Sequence, residues 1–193
     1  MSVPAVPSKG KLIIVAAPSG AGKTTLCKKL LEELKGRLVL SVSCTTRQPR
    51  PGEQDGVHYH FLTPTEFQSK IDAGDFAEWA HVHGNMYGTS KSVIERTLLQ
   101  GKSVLLEIDV QGADSLKKNY GERCHTIFIA PPNMEELQKR LEKRATDSKS
   151  TIETRLKNAR DEMNRAGDFQ KLIINDVFDR AYAELKAEVL KHG

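Results

Sequence analysis

The sequence contains few cysteines, a single tryptophan and no long apolar run. Its three cysteines, Cys27, Cys44 and Cys124, are odd in number and widely spaced, which argues against a disulfide framework and a cysteine zinc site. The longest strongly apolar run, residues 12–17, is far shorter than the ~20 residues that a membrane-spanning helix needs. No apolar stretch of the signal-peptide type precedes it. We therefore expect a cytoplasmic protein that does not bind a membrane.

Charge is nearly balanced, with 29 lysines and arginines against 25 acidic residues and a net charge of +4. Because these charges are interspersed along the chain, we expect no nucleic-acid binding. A small positive excess does favour small polyanions such as nucleotides, provided that several arginines converge on one cleft. The length of 193 residues and the 38% hydrophobic content predict one compact domain, and they leave open whether it is a monomer or a homo-oligomer.

Short apolar runs alternate with amphipathic stretches along most of the chain. The apolar runs predict buried strands at residues 12–16, 38–42, 103–108, 126–129 and 172–174. Apolar residues at three- and four-residue spacing predict helices at residues 23–35, 65–73, 91–100, 133–144, 151–165 and 179–191. This alternation predicts a three-layer α/β fold in which helices cover both faces of a parallel sheet. Strands at 57–62, 76–82 and 86–87 and a short helix between them predict a small inserted subdomain.

A glycine-rich loop between the first predicted strand and the first predicted helix gives the strongest local signal. We assign to ATP binding its residues Ala17, Pro18, Ser19, Gly20, Ala21, Gly22, Lys23 and Thr24, together with Thr25. Such a loop can turn its amide groups towards phosphate oxygens, while Lys23 would reach the β and γ phosphates and Thr24 would bind Mg²⁺. Ala17 stands where the usual motif begins with glycine, but alanine is small. The alternative is a turn that only caps a helix.

More distant segments indicate what receives the phosphate. Residues 43–61 read SCTTRQPRPGEQDGVHYHF, and Glu78, residues 87–89 (YGT) and residues 107–112 (EIDVQG) follow. Together they resemble the guanylate kinase family, and the resemblance covers the chain from about residue 10 onward. It implies a P-loop NTPase fold with a core at about 10–42, 91–139 and 166–193, a GMP-binding insertion at about 43–90 and a lid at about 140–165. It also implies transfer of the γ-phosphate of Mg-ATP to GMP or dGMP.

The phosphate of the acceptor can be bound by arginines and tyrosines of the insertion. Arg47 and Arg50 can each form paired, charge-assisted hydrogen bonds to a phosphate, and Tyr59 and Tyr87 can add hydroxyl donors. The alternatives are a solvated loop for the two arginines and core packing for one of the aromatic residues of the strand, a role that we assign to Phe61. The predicted phosphate pocket therefore consists of Arg47, Arg50, Tyr59 and Tyr87.

The base of the acceptor can be bound by acidic and hydroxyl side chains. A guanine edge presents an N–H, an amino group and a carbonyl, so it requires a carboxylate and a hydroxyl. We assign to GMP binding the acids Glu78 and Asp109 and the hydroxyl residues Ser43 and Thr89, with the adjoining Gly88. The alternative for Glu78 is a surface position, as for most glutamates.

Three arginines, Arg140, Arg144 and Arg155, bracket the polar segment 145–150 and resemble the lid arginines of the same family. Arginines that close over transferring phosphates stabilise the charge of the transition state and help to exclude water. We assign Arg140 to ATP binding and Lys23, Arg47, Arg144 and Arg155 to catalysis. The alternative for each lid arginine is simple solubility.

Two further polar positions follow predicted strands. Glu107 and Asp109 end one strand and project to the same face, at the edge where α/β proteins bind ligands. We assign Asp109 to the acceptor nucleotide or to the water shell of the metal, with Glu107 secondary. Asn175 resembles the adenine contact of the family, and a loop cap is the alternative.

Other features have simpler interpretations. The pairs His58 with His60 and His81 with His83 are spaced for one face of a strand, but they lack the partners of a metal site, and we expect none there. Trp79 is expected to pack in the core of the insertion. Two rival functions remain open: a kinase for another small molecule, such as a sugar phosphate, and a non-catalytic module that binds phosphorylated proteins through the same pocket.

Overall fold

The structure is a computed structural model that describes residues 10–82, 84–143 and 148–193. Its strands are β1 (Leu12–Ala16), β2 (Leu38–Leu40), β3 (Cys44–Thr45), β4 (His60–Phe61), β5 (Phe76–Val82), β6 (Asn85–Ser90), β7 (Ser103–Glu107), β8 (Cys124–Ala130) and β9 (Lys171–Ile174). Its α-helices are α1 (Lys23–Glu33), α2 (Pro64–Asp72), α3 (Lys91–Leu99), α4 (Val110–Tyr120), α5 (Met134–Lys143), α6 (Lys149–Asn164) and α7 (Phe178–His192). Short 3₁₀ turns precede β8 and β9.

The larger sheet has five strands in the order β2-β7-β1-β8-β9, and every pairing is parallel. All five residues of β1 are buried, as expected for a central strand covered by helices on both faces. One face packs against α1 and α7 through a cluster that includes Leu26, Leu30 and Leu185, and the other face packs around Leu116 of α4. The predicted three-layer α/β fold with a parallel sheet is confirmed.

The insertion forms a second sheet of four strands in the order β4-β3-β6-β5. Helix α2 covers it and begins with a capping box, in which the Thr63 hydroxyl accepts from the Glu66 amide and the Glu66 carboxylate accepts from the Thr63 amide. Phe67 of this helix is fully buried against Phe76 of β5, with ring centroids 4.6 Å apart. This packing fixes α2 against β5, the strand that carries Glu78.

Several sequence-based expectations for the elements differ from the structure. The predicted strand at 57–62 is reduced to β4, because the preceding residues turn, with the Asp55 carboxylate accepting from the Phe61 amide. Helix α4 is not predicted at all, and of its residues only Gly112, Ala113 and Leu116 are buried. Trp79 is 42% exposed, because its neighbours Glu78 and Ala80 point inward along β5.

Across the three described ranges, no helix combines the length and the apolar character that a membrane span requires.

Candidate active site

The glycine-rich loop leaves the carboxyl end of β1 and enters α1, the location at which parallel α/β sheets bind ligands. Gly20 and Gly22 have φ angles of 95° and 94°, a left-handed conformation that favours glycine. Asn175, after β9, donates from its amide nitrogen to the Ala21 carbonyl oxygen at 2.7 Å. The loop is therefore shaped by its glycines and fixed from behind by a buried amide.

Asn175 supports the phosphate loop. The side chain is only 6% exposed, and a Cβ atom at Gly22 would lie 2.3 Å from its amide nitrogen. Its backbone carbonyl accepts from Arg140 at 3.0 Å. The predicted adenine contact thus stays a prediction, while the visible contacts of Asn175 are with the phosphate loop and one lid arginine.

Three polar side chains meet at the end of the loop. The Thr24 hydroxyl donates to the Glu107 carboxylate at 3.1 Å, and the Lys23 ammonium lies 4.0 Å from the same oxygen. The pairing of Val15 with Glu107 in the β1–β7 register brings this acid beside the loop. A hydroxyl and a carboxylate oxygen are ligands that suit Mg²⁺ and its bound waters, so the residues present fit that ion. Glu107, which the sequence ranks after Asp109, is therefore the acid that lies beside the phosphate loop.

Asp109 caps the amino end of α4. One carboxylate oxygen accepts from the Gly112 amide at 2.9 Å, and the other lies 3.4 Å from the Gln111 side-chain nitrogen. Asp109 also belongs, with Glu78 and Thr89, to a site that we call the acidic pocket, since its charge contributes to the raised pKa of Glu78. The structure therefore gives Asp109 a structural contact as a helix cap and keeps it near the predicted base-binding residues.

Glu78 and Thr89 form the buried part of the acidic pocket. They face one another across the antiparallel β5–β6 pair, and the Thr89 hydroxyl donates to the Glu78 carboxylate at 2.5 Å. Glu78 is 6% exposed and Thr89 is fully buried. Burial, with a smaller contribution from Asp109, raises the pKa of Glu78 to about 7, although the Thr89 hydrogen bond opposes the shift. The surface position considered for Glu78 is wrong.

Gly112 is a neighbour of this pocket that the sequence does not single out. A Cβ atom at this position would lie 2.7 Å from one Glu78 oxygen and 3.1 Å from Asp109. The absence of a side chain therefore lets the two acids approach the first turn of α4. The signal that could have indicated this role is the place of the glycine at the end of the motif at residues 107–112, three residues after Asp109.

Arg47 is held in the loop between β3 and β4 by a residue that the sequence analysis did not assign. Both oxygens of Glu53 accept from the Arg47 guanidinium at 2.9 Å, and one of them also accepts from the Arg50 amide at 2.8 Å. Burial opposes the ionisation of Glu53, but these contacts outweigh it and lower the pKa of the carboxyl. The predicted phosphate-binding arginine is thus oriented by a carboxylate.

Aromatic side chains lie beside the Arg47 guanidinium. The Arg47 guanidinium carbon lies 5.4 Å from the centre of the Tyr59 ring, and the Tyr59 and Tyr87 rings meet edge to face at 5.9 Å. Phe61, expected to pack in the core, is instead only half-buried beside Tyr59 and is not among the buried core residues. Ser43 is buried at the start of the insertion, and Gly88 packs so closely that a Cβ atom there would lie 3.0 Å from Phe67.

The described part of the predicted lid approaches the phosphate loop. Arg155 of α6 donates to the Ser19 hydroxyl at 3.2 Å. Arg140 of α5 donates to the Glu136 carboxylate at 3.2 Å as well as to the loop after β9. Arg144 lies outside the described residues. The structure therefore brings two of the three predicted lid arginines to the nucleotide side.

Glu162 is a further acid that sequence reasoning missed. It lies on the inner side of α6, and burial, with the Asp109 charge second, raises its pKa to about 7, while Lys23 opposes the shift. Its electrostatic neighbours thus belong to both the phosphate loop and the acidic pocket. A glutamate in a charged helix gives no sequence signal, because its function depends on the face it presents after folding.

A parallel five-stranded sheet with a glycine loop between its central strand and a helix defines a P-loop NTPase. A family model described as guanylate kinase matches residues 9–192. Among similar proteins, guanylate kinase from Dechloromonas aromatica is 50% identical over 95% of this chain and 90% of its own length, and that from Idiomarina loihiensis is 48% identical over 96% and 89%. The crystal structure of guanylate kinase from Anaplasma phagocytophilum covers 95% of this chain and 86% of its own, with a TM-score of 0.78 and 33% identity. The chain belongs to the guanylate kinase family, as its sequence motifs indicated.

Proposed function

We propose that this protein transfers the γ-phosphate of Mg-ATP to GMP and produces ADP and GDP, and that it does so in the cytoplasm. The observation that carries the proposal is the buried pair of Glu78 and Thr89. Asp109 shifts the pKa of Glu78, and Asp109 and Lys23 both shift that of Glu162, so this pair and the phosphate loop share electrostatic neighbours. Family membership supports the same activity. Burying a charged acid is costly, and a guanine edge would offset that cost.

The base is recognised through its hydrogen-bonding edge. An ionised Glu78 accepts from the N1–H and the amino group of guanine. The hydroxyl of Ser43 or Thr89 forms a hydrogen bond with the remaining polar group of that edge, the carbonyl. Adenine presents an acceptor where guanine presents the N1–H, so it would leave the carboxylate buried and unpaired. We therefore expect strong discrimination against AMP.

The acceptor phosphate is held by the arginine and tyrosine cluster. Arg47 is already oriented by Glu53, so little side-chain entropy has to be lost when a phosphate binds. Arg50, Tyr59 and Tyr87 supply further donors to the same phosphate. This orientation directs one oxygen of GMP towards the γ-phosphate, and transfer then proceeds by direct in-line attack without a covalent enzyme intermediate.

The donor nucleotide is bound by the loop amides, Lys23 and Thr24. Thr24 and Glu107 would hold Mg²⁺, which neutralises charge on the β- and γ-phosphate oxygens when it is bound with ATP. Arg155, which contacts Ser19, is suited to stabilise the charge that develops on the transferring group. Lys23 and Arg47 act on the same charge from the loop and from the acceptor side, and Arg144 is assigned the same role by resemblance.

The direct test measures ADP formation from Mg-ATP with GMP, dGMP, AMP, UMP and CMP offered separately. We expect GMP to be the best acceptor, and the result with dGMP will define the tolerance for the sugar. Equal rates with AMP and GMP would contradict the base-recognition argument. A protein that binds GMP but forms no ADP would instead support the non-catalytic module, which the family members named above do not favour.

A further inference from the structure

Three side chains with metal-binding atoms converge far from the nucleotide site. His125 is the second residue of β8, while Glu188 and His192 lie one helical turn apart at the end of α7. Within the described residues, their ligand atoms all lie within 4.8 Å of one another. The parallel register pairs His125 with Ile13, which is four residues before Ala17, so the cluster lies about 13 Å or more from the phosphate loop along the strand.

The distances are close to those of a metal site. One Glu188 oxygen lies 2.9 Å from the His125 Nε2 atom and 3.3 Å from the His192 Nε2 atom. Ligands about 2.0–2.1 Å from a tetrahedral zinc ion are separated from one another by roughly 3.3 Å, so a small adjustment would admit the ion. The two imidazole rings are stacked, with centroids 4.0 Å apart and an angle of 13° between planes. His192 has to tilt out of this stack for both nitrogens to face one point.

A second observation points to a missing ligand. His125 is 7% exposed, and its Nε2 atom is buried and forms no well-directed hydrogen bond among the described residues, although a Glu188 oxygen lies 2.9 Å away. An unsatisfied buried nitrogen of this kind is costly. His192 and Glu188 are partly exposed, and they line a surface pocket of about 320 Å³ that gives an ion access.

The surrounding charges decide which ion fits. Lys11 and Lys191 line the same pocket and offset part of the attraction of the Glu188 carboxylate for a cation, while Glu122, which also lines it, adds to that attraction. A hard ion such as Mg²⁺ or Ca²⁺ prefers several oxygen ligands and would be poorly served by two imidazoles. Zn²⁺ binds two histidines and one carboxylate readily, with water in the fourth position. Cys124 is not a ligand, since its thiol donates to the Leu116 carbonyl oxygen.

We propose that His125, Glu188 and His192 form a Zn²⁺ site that joins the amino end of β8 to the last turn of α7. The bound ion would link two elements that are distant in sequence and would stabilise the end of α7. An ion pair between Glu188 and a protonated histidine is the metal-free alternative, and it predicts no specific uptake of zinc.

The test is calorimetric titration of Zn²⁺ into the full chain, without a histidine tag and after treatment with a chelator. We expect one Zn²⁺ per chain, and we expect His192→Gln and Glu188→Gln each to weaken binding by about tenfold or more. His81→Gln, which changes an exposed histidine on β5, is the matched control and should bind as the wild type does. No uptake by the wild type, or equal uptake by all of the variants, would overturn the proposal.

Two further measurements use the same proteins. Zn²⁺ should raise the unfolding temperature of the wild type and of His81→Gln, and it should leave that of His192→Gln unchanged. His192 and Glu188 are changed instead of the buried His125, so the variants should fold. Size-exclusion chromatography should give the same size with and without Zn²⁺. A zinc-dependent dimer would contradict the proposal, because the ligands would then come from two chains.

Discussion

Replacing Glu78 with glutamine should make the nucleotide-free protein more stable at neutral and alkaline pH. Burial raises the pKa of Glu78 from 4.5 to about 7 in the folded chain. This shift means that folding disfavours the ionised carboxylate relative to the protonated carboxyl by about 3 kcal/mol. The folded chain holds this proton more tightly than the unfolded chain does. The contribution of Glu78 to the free energy of unfolding is therefore fully present below its pKa in the unfolded chain. It is lost as the pH rises through its pKa in the folded chain.

The magnitude follows from integrating this linkage. Between pH 5.5 and pH 8 the wild type should lose about 2 kcal/mol through Glu78, and the Glu78→Gln variant should not. Glutamine keeps the shape of the side chain, and its carbonyl oxygen can still accept from the Thr89 hydroxyl. The advantage of the variant over the wild type should thus grow by about 2 kcal/mol over this range.

Urea unfolding of both proteins at several pH values measures the difference. Other groups, including Glu162, also titrate in this range, but their contributions cancel when the two proteins are compared at each pH. The exposed Glu95 of α3 provides the control, because Glu95→Gln should follow the wild type at every pH. A Glu78→Gln variant that is less stable than the wild type at pH 8, or whose difference does not change with pH, would refute the reasoning.

The same variant should bind GMP less well, since a neutral amide replaces the charged acceptor. Hydrogen bonds to a charged group contribute about 1.5–3 kcal/mol, so kcat/KM for GMP should fall by roughly 10- to 100-fold. In the wild type, kcat/KM should rise with pH through about 7 and then level off, because only the ionised carboxylate accepts from guanine. A stabilised variant with unchanged GMP kinetics would separate the burial of Glu78 from base recognition.

Three further substitutions, with a fourth as a control, test the neighbours of the two nucleotide pockets. Gly112→Ala should raise KM for GMP about tenfold and leave KM for ATP unchanged, because the new methyl group would lie 2.7 Å from the Glu78 carboxylate. Gly22→Ala should abolish ATP binding in calorimetry, because a Cβ atom there would lie 2.3 Å from the Asn175 amide nitrogen. Gly36 is the control, since it has a similar φ of 85° but open space around it, and Gly36→Ala should cost only about 1 kcal/mol of stability. Glu53→Gln should raise KM for GMP about tenfold with a smaller change in kcat, because the phosphate-binding arginine loses its paired contact.

The sequence predicted most of the parts that depend on local pattern. The strand before the phosphate loop, the glycines of the loop and the helix that follows are contiguous, so spacing alone reveals them. The pairing of Glu78 with Thr89 joins strands that are adjacent in sequence, and the family motif covers both residues. These features need no knowledge of how the sheets are arranged.

Other parts depend on contacts between distant segments and could not be predicted in this way. The position of Glu107 beside Thr24 arises from the β1–β7 register, and the amide of Asn175 reaches the loop across the sheet from β9. The same holds for His125 and His192, which meet only because α7 packs back to β8. A spacing rule that examines neighbouring histidines therefore does not find this cluster.

The ionisation of Glu78 connects the stability of the empty protein with its choice of base. When the carboxylate is charged, adenine leaves it buried and unpaired, so GMP is preferred over AMP. When the carboxyl is protonated, it becomes a donor and can bind the acceptor nitrogen of adenine. The ratio of kcat/KM for GMP to that for AMP should therefore shrink as the pH falls from 8 to 6. A ratio that stays constant over this range would mean that groups other than Glu78 select the base.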